Sequence, residues 1–125
     1  MINEPLRLTE EKLREKLEPF PQEFQEIVLA YRRAPSPELL GKIVTGILEY
    51  NGGDLFREQR AQKGGAVRLV EDVNLDSLSL VELSFQAEEF LGVIIKLEDF
   101  PKIRTLDELQ GFLRAKAFPP AAPTA

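Results

Sequence analysis

The chain has 125 residues, 16 basic and 21 acidic side chains for a formal net charge of −5, and 43% hydrophobic composition, which allows about one soluble globular domain with a sizeable core. It contains no His, Cys or Trp, which removes an imidazole base, a thiolate nucleophile, a Cys/His metal cage and a disulfide framework. The carboxylates that remain show no acid/base spacing beside a nucleophile and no calcium-binding loop pattern, so the chain reads as a non-enzyme with no catalytic residues and no metal site.

Met1 to Thr9 holds no apolar run behind a basic segment, and no stretch approaches the roughly eighteen apolar residues of a membrane helix. A cytoplasmic protein with no membrane span is the expectation. Thr9 can cap a short helix with Glu10 and Glu11 in its first turn and Leu13 and Leu17 on one side, stopped by Pro19 and Pro21. Pro21 suits a first helical position, after which Phe24, Ile27, Val28 and Tyr31 form a stripe that runs to Pro35. Residues 1–36 therefore read as a helical N-terminal extension.

Ser36 as cap and Pro37 as first residue open a third helix, with Leu40, Ile43, Val44, Ile47 and Leu48 on one stripe before Asn51-Gly52-Gly53 ends it. Residues 51–75 read as a long irregular connection with room for one helical turn from Asp54 through Arg57. Its glycine pairs lack the Gly-Lys-Ser/Thr of a phosphate cradle. Arg57, Arg60, Lys63 and Arg68 make it locally basic, as a solvated loop can be without binding an anion.

A helix beginning at Ser77 gathers Leu80, Leu83, Ala87, Phe90 and Leu91 into a core stripe. Leu78, Val81 and Phe85 form a second apolar stripe on the opposite side, flanked by Glu82 and Glu89 on one edge and Glu88 on the other. Apolar residues ringed by acids point to a docking surface for a basic-rimmed hydrophobic groove, unless the N-terminal extension covers them. From Glu71 to Ile95 there is no Lys or Arg, while Glu71, Asp72, Asp76, Glu82, Glu88 and Glu89 all fall inside. Such a stretch repels a phosphate backbone, so nucleic acid is not the expected partner and a basic protein surface is.

Farther on, Gly92-Val93-Ile94-Ile95 is a short apolar stretch, Leu97 to Ile103 has room only for a short helix interrupted by Pro101, and Thr105 with Glu108 forms a capping box for a last helix bearing Leu106, Leu109, Phe112 and Leu113. Residues 118–125, with three prolines among alanines, read as a disordered tail.

The run Leu69-Val70-Glu71-Asp72-Val73-Asn74-Leu75-Asp76-Ser77-Leu78-Ser79-Leu80-Val81-Glu82-Leu83 resembles the signature of acyl carrier proteins, in which an Asp-Ser-Leu at the start of the second helix carries 4′-phosphopantetheine. Asp76-Ser77 alone is also what simple capping produces. The likeness extends to the Glu88-Glu89 pair, Leu91-Gly92-Val93, Ile95, Ile103 and Thr105-Leu106, and covers about residues 37–116.

The resemblance implies an all-α fold: a four-helix acyl-carrier-like bundle over residues 37–117, behind the helical extension 1–36 and before the tail 118–125. It implies that Ser77 is the phosphopantetheine attachment point, flanked by Asp76 and Leu78, and that a separate phosphopantetheinyl transferase esterifies it. Leu78, Val81, Glu82, Phe85, Glu88 and Glu89 would bind partners, and Leu83, Ala87, Ile95 and Leu106 would line the interior that shelters an acyl chain. The implied function is carriage of acyl thioesters for fatty-acid-like or polyketide-like synthesis, served by acyl-loading, condensing or tailoring enzymes with basic docking surfaces. The departures are Ser79 and Leu97 where familiar carriers have acids, Pro101 inside the short third helix, and Asn74-Leu75 where fatty-acid carriers usually have Gly and a small or apolar residue. A Leu before Asp-Ser also occurs in aminoacyl and peptidyl carriers, which stay open as an alternative beside an unmodified helical protein-interaction module. The extension lies outside the resemblance; covering the bundle, self-association and binding of a dedicated enzyme are all open roles for it.

Overall fold

The computed structural model describes residues 8–119, and among them the fold is all-α, five α-helices joined by turns that include two 3₁₀ segments. Helix α1, Glu10–Leu17, starts at Thr9, whose Oγ1 accepts a hydrogen bond from the Lys12 N–H at 3.1 Å. Its Leu13 and Leu17 are buried, each stabilising by about 1.5–3 kcal/mol relative to exposure. Helix α2, Gln22–Arg33, begins after Pro21, which takes the cap position and not the first helical one. Ser36 caps α3, Pro37–Lys63, with Oγ accepting from the Leu39 N–H at 3.2 Å.

The connection expected over residues 51–75 is mostly not a loop. Helical structure continues to Lys63, bent at Gly53, whose φ of 58° and ψ of −143° suit a residue without a Cβ. The Asn51-Gly52-Gly53 stop signal therefore marks a kink. Residues 54–63 show no apolar stripe because one fully buried side chain, Phe56, anchors them, while Arg57 pairs with Asp54 and Glu49. Arg57, Arg60 and Lys63 thus lie on a helix and not in a solvated loop.

Helix α4, Ser77–Leu91, runs from the Asp76 cap to Gly92 in the left-handed region, φ 72°. A 3₁₀ segment, Leu97–Lys102, contains Pro101. Helix α5, Leu106–Ala117, opens with a reciprocal capping box: the Glu108 N–H donates to Thr105 Oγ1 and the Thr105 N–H to Glu108 Oε1, both at 3.1 Å.

The buried side chains form a core to which all five helices contribute, so α1 and α2 are part of it and not an appendage. Phe20 and Phe24 from the extension meet Phe90 of α4 edge-on, with ring centroids 5.3 and 5.7 Å apart, and Phe20 stacks on Tyr50 at 4.2 Å. At the other end Phe118, expected in the tail, packs edge-on against Tyr31 at 6.3 Å and closes α5. The remainder of that expected tail, residues 120–125, lies outside the described residues, as does the start of the extension, residues 1–7. Among the described residues no helix is long and apolar enough to cross a membrane.

Candidate functional site

The approach to α4 is a short segment tied down on both sides. The Leu69 N–H donates to the Arg104 carbonyl at 2.9 Å and the Leu106 N–H to the Val67 carbonyl at 3.0 Å, joining the residues before α4 to those before α5. A turn follows, in which the Asn74 N–H reaches the Val70 carbonyl at 2.9 Å and the Leu75 N–H the Leu69 carbonyl at 3.1 Å. Asn74 has a φ of 67°, the left-handed conformation that Gly adopts freely and Asn tolerates better than other residues.

Asp72 holds the turn closed. Its side chain is only 5% exposed; Lys63 Nζ lies 2.7 Å and Arg68 Nη2 3.1 Å from Oδ1, and the Arg68 backbone N–H donates to Oδ2 at 2.8 Å. Hydrogen bonds from the Arg68 side chain, then from Lys63, hold the Asp72 carboxyl far below the usual carboxylate range. Of the four cations expected to make a basic loop, two are thus engaged by Asp72: Lys63 fastens the C-terminal end of α3 to the segment that leads into α4, and Arg68 closes the turn within that segment.

Asp76 caps α4, its Oδ1 accepting from the Ser79 N–H at 2.8 Å. That bond, with the Ser79 hydroxyl, keeps Asp76 below its ordinary range. Ser77 is exposed at the first position of the helix, and its hydroxyl makes no hydrogen bond among the described residues. The site therefore offers a free hydroxyl, open to solvent, at the positive end of a helix dipole. The hydroxyl is therefore open to covalent modification.

Beyond Ser77 the two faces of α4 diverge. Inward, Leu83, Ala87 and Phe90 are 1%, 0% and 4% exposed; outward, Leu78 and Phe85 are 67% and 60% exposed, with Val81 half-buried between them. The extension leaves Leu78 and Phe85 uncovered: Phe20, between α1 and α2, and Phe24 of α2 pack on the buried Phe90, and α1 reaches only Glu89 at the edge of the outward face. Glu82 and Glu88 are exposed, while Glu89 is half-buried with Oε2 3.2 Å from Lys16 Nζ. Ile95 and Leu106, expected in the interior, are buried there.

Val70, Ile94 and Leu97 are also exposed apolar residues, and sequence reasoning did not single out Val70 or Ile94 as such. For Ile94 the signal was present: Val93 and Ile95 are buried and Ile94 between them points out, the alternation of an extended segment. The clamp on Asp72 and the partner of Glu89 had no local signal, since Lys63 and Lys16 arrive from other helices. A surface groove of about 850 Å³ between α2 and α3, lined by Phe24, Ile27, Gly46 and Tyr50 among others, includes neither Ser77 nor the outward residues of α4. Among the described residues no group of three or more acidic side chains is gathered as a metal site would be. No family model matches the chain, and no solved structure matches it.

Proposed function

We propose that this protein is a carrier of acyl groups, bearing them as thioesters on a 4′-phosphopantetheine arm attached to Ser77. The observation that carries the reading is the pairing of an exposed, unengaged Ser77 hydroxyl with an apolar stripe, Leu78 and Phe85, left facing solvent on the same helix. A helix that buries one apolar face and keeps another in water has a partner for the second. Under this reading the first part of α3, α4, the 3₁₀ segment and α5 correspond to the four helices of a carrier bundle. The arm's terminal thiol supplies the acyl-carrying chemistry, which a chain without Cys or His cannot supply itself.

This chain's own residues have three tasks. The Asp72 clamp and the left-handed Asn74 hold the approach to α4, Asp76 caps the helix, and the Glu82/Glu88 edges attract basic docking surfaces. Loading forms a bond from Ser77 Oγ to the pantetheine phosphate of coenzyme A; the pyrophosphate bond breaks, adenosine 3′,5′-bisphosphate leaves, and the hydroxyl proton goes to the transferase. The downstream partners are acyl-loading, condensing or tailoring enzymes, met by weak, salt-sensitive contacts. Fatty-acid-like and polyketide-like chemistry both suit such a carrier.

The test is intact mass after incubation with coenzyme A and a broad-specificity phosphopantetheinyl transferase, beside Ser77→Ala. The expected result is a gain of one phosphopantetheine in the parent chain and none in the variant. A folded parent chain that gains nothing overturns the reading. In that case the exposed stripe on α4 favours an unmodified helical interaction module.

A further inference from the structure

The run from Glu71 to Ile95 contains no Lys or Arg, so by its own residues the outward face of α4 carries acids alone. The fold delivers a cation to it from another helix. Lys16 Nζ stands 3.2 Å from Glu89 Oε2, at the C-terminal end of the Glu82/Glu89 edge. The ion pair with Glu89 is not all that holds Lys16 there. It lies between Leu13 and Leu17, 2% and 0% exposed, and Phe20 just beyond packs on Phe90, the residue after Glu89. These buried anchors fix the backbone of α1 relative to the last turns of α4. Glu82 and Glu88, by contrast, are exposed and make no ion pair among the described residues.

We propose that Lys16 is a specificity-determining residue of this docking face. It neutralises Glu89, so α4 accepts partners whose basic residues meet Glu82 and Glu88 and discriminates against those that also need a free carboxylate at Glu89. The inference rests on the carrier reading of α4. Its physical ground is that Lys16, the more exposed member of the pair, already satisfies Glu89, and a partner's Lys or Arg aimed at Glu89 is set beside a like charge, which disfavours that partner. An exposed ion pair adds little to stability, so the charge can be removed without unfolding the chain.

The experiment uses the full-length protein loaded on Ser77 and, as probe, a β-ketoacyl synthase with a three-cation carrier-docking surface. Its kcat/KM is measured at low and moderate salt with the parent chain, Lys16→Ala, Lys16→Gln, which keeps the aliphatic stem, and Arg14→Ala. Arg14 pairs with Glu10 on α1, so its loss changes net charge equally without touching α4. The expected result is a gain of about three- to fivefold for both Lys16 variants that shrinks with salt, a smaller change for Arg14→Ala, and loss of the gain in Lys16→Ala/Glu89→Gln. Loaded and thermally unchanged Lys16 variants that are used no better than the parent chain, or an equal gain from Arg14→Ala, overturn the proposal. Failure of the parent chain to be loaded on Ser77 is a different result and overturns the carrier reading itself.

Discussion

The ring of Phe24 occupies the space that a side chain on Gly46 would need, with Cδ1 and Cε1 both inside contact distance of a Cβ placed there. This is how α2 comes close to α3, and it binds the N-terminal extension to the rest of the core. Gly46→Ala would gain about 1 kcal/mol in helix propensity but incur an overpacking cost of about 1–3 kcal/mol, so it is expected to lower the melting temperature. Gly41 on the same helix has nothing within 4 Å of a built Cβ, so Gly41→Ala keeps the propensity gain and is expected to raise the melting temperature by several degrees. Paired thermal melts of the two variants check the contact; equal effects would mean that Phe24 does not limit the approach.

Phe85 and Phe90 lie on one helix with opposite environments, 60% and 4% exposed. Phe85→Ala is expected to change stability by less than about 0.5 kcal/mol and, on the proposed carrier function, to reduce use of the loaded protein by a partner enzyme. Phe90→Ala removes a ring that touches both Phe20 and Phe24 and is expected to cost about 3–5 kcal/mol. Chemical denaturation of both, beside a partner assay for Phe85→Ala, separates docking from packing. A large stability loss at Phe85 would show that the outward stripe is structural.

Much of this arrangement is legible before any coordinates, and the reason is local. Thr9, Ser36, Asp76 and Thr105 each cap a helix with their own side chain, and the stripe of Leu83, Ala87 and Phe90 is set by helix period alone. The outward placement of Leu78 and Phe85 follows from the same period. Where the reasoning stops short, the information is not local. The segment 54–63 is held by Phe56 and by pairs to Glu49 and Asp72, so its helix leaves no stripe to read. Phe118 packs on Tyr31, a residue 87 positions earlier (118 − 31), and no pattern in a Pro/Ala-rich end announces that. Lys16 reaching Glu89 is of the same kind: each residue sits on a correctly expected helix, and only the packing of α1 brings them together.

Asn74 offers a test of backbone in place of contact. At a φ of 67°, Asn74→Gly removes the cost of a left-handed non-glycine residue but adds unfolded-state entropy, and the two roughly cancel within about 1 kcal/mol. Asn74→Val places a β-branched residue where Cβ is crowded and is expected to cost about 1–3 kcal/mol. It is also expected to slow loading of Ser77, since the turn leads directly into the α4 cap. If thermal melts rank Val equal to Gly, the left-handed turn is not what shapes the approach to the site.

Asp72 makes the stability of that same turn depend on pH with a definite sign. Its folded carboxyl is held well below the unfolded value of about 3.9 by Arg68 and Lys63. A depressed folded value means that the carboxylate contributes stability that is fully present above the unfolded value and is lost as pH falls toward the folded one. Asp72→Asn removes the charge and keeps the shape, so the parent chain is expected to be more stable than the variant by a constant margin above about pH 5. That margin is expected to shrink steadily below about pH 4. Asp76→Asn is the internal comparison, because Asn also caps helices well and its pH dependence is expected to be smaller. Denaturant titrations of the three proteins from neutral to acid pH check the sign. A margin for Asp72→Asn that stays constant through acid pH would mean that Lys63 and Arg68 do not stabilise the charged form, and that the approach to Ser77 is held by its backbone hydrogen bonds alone.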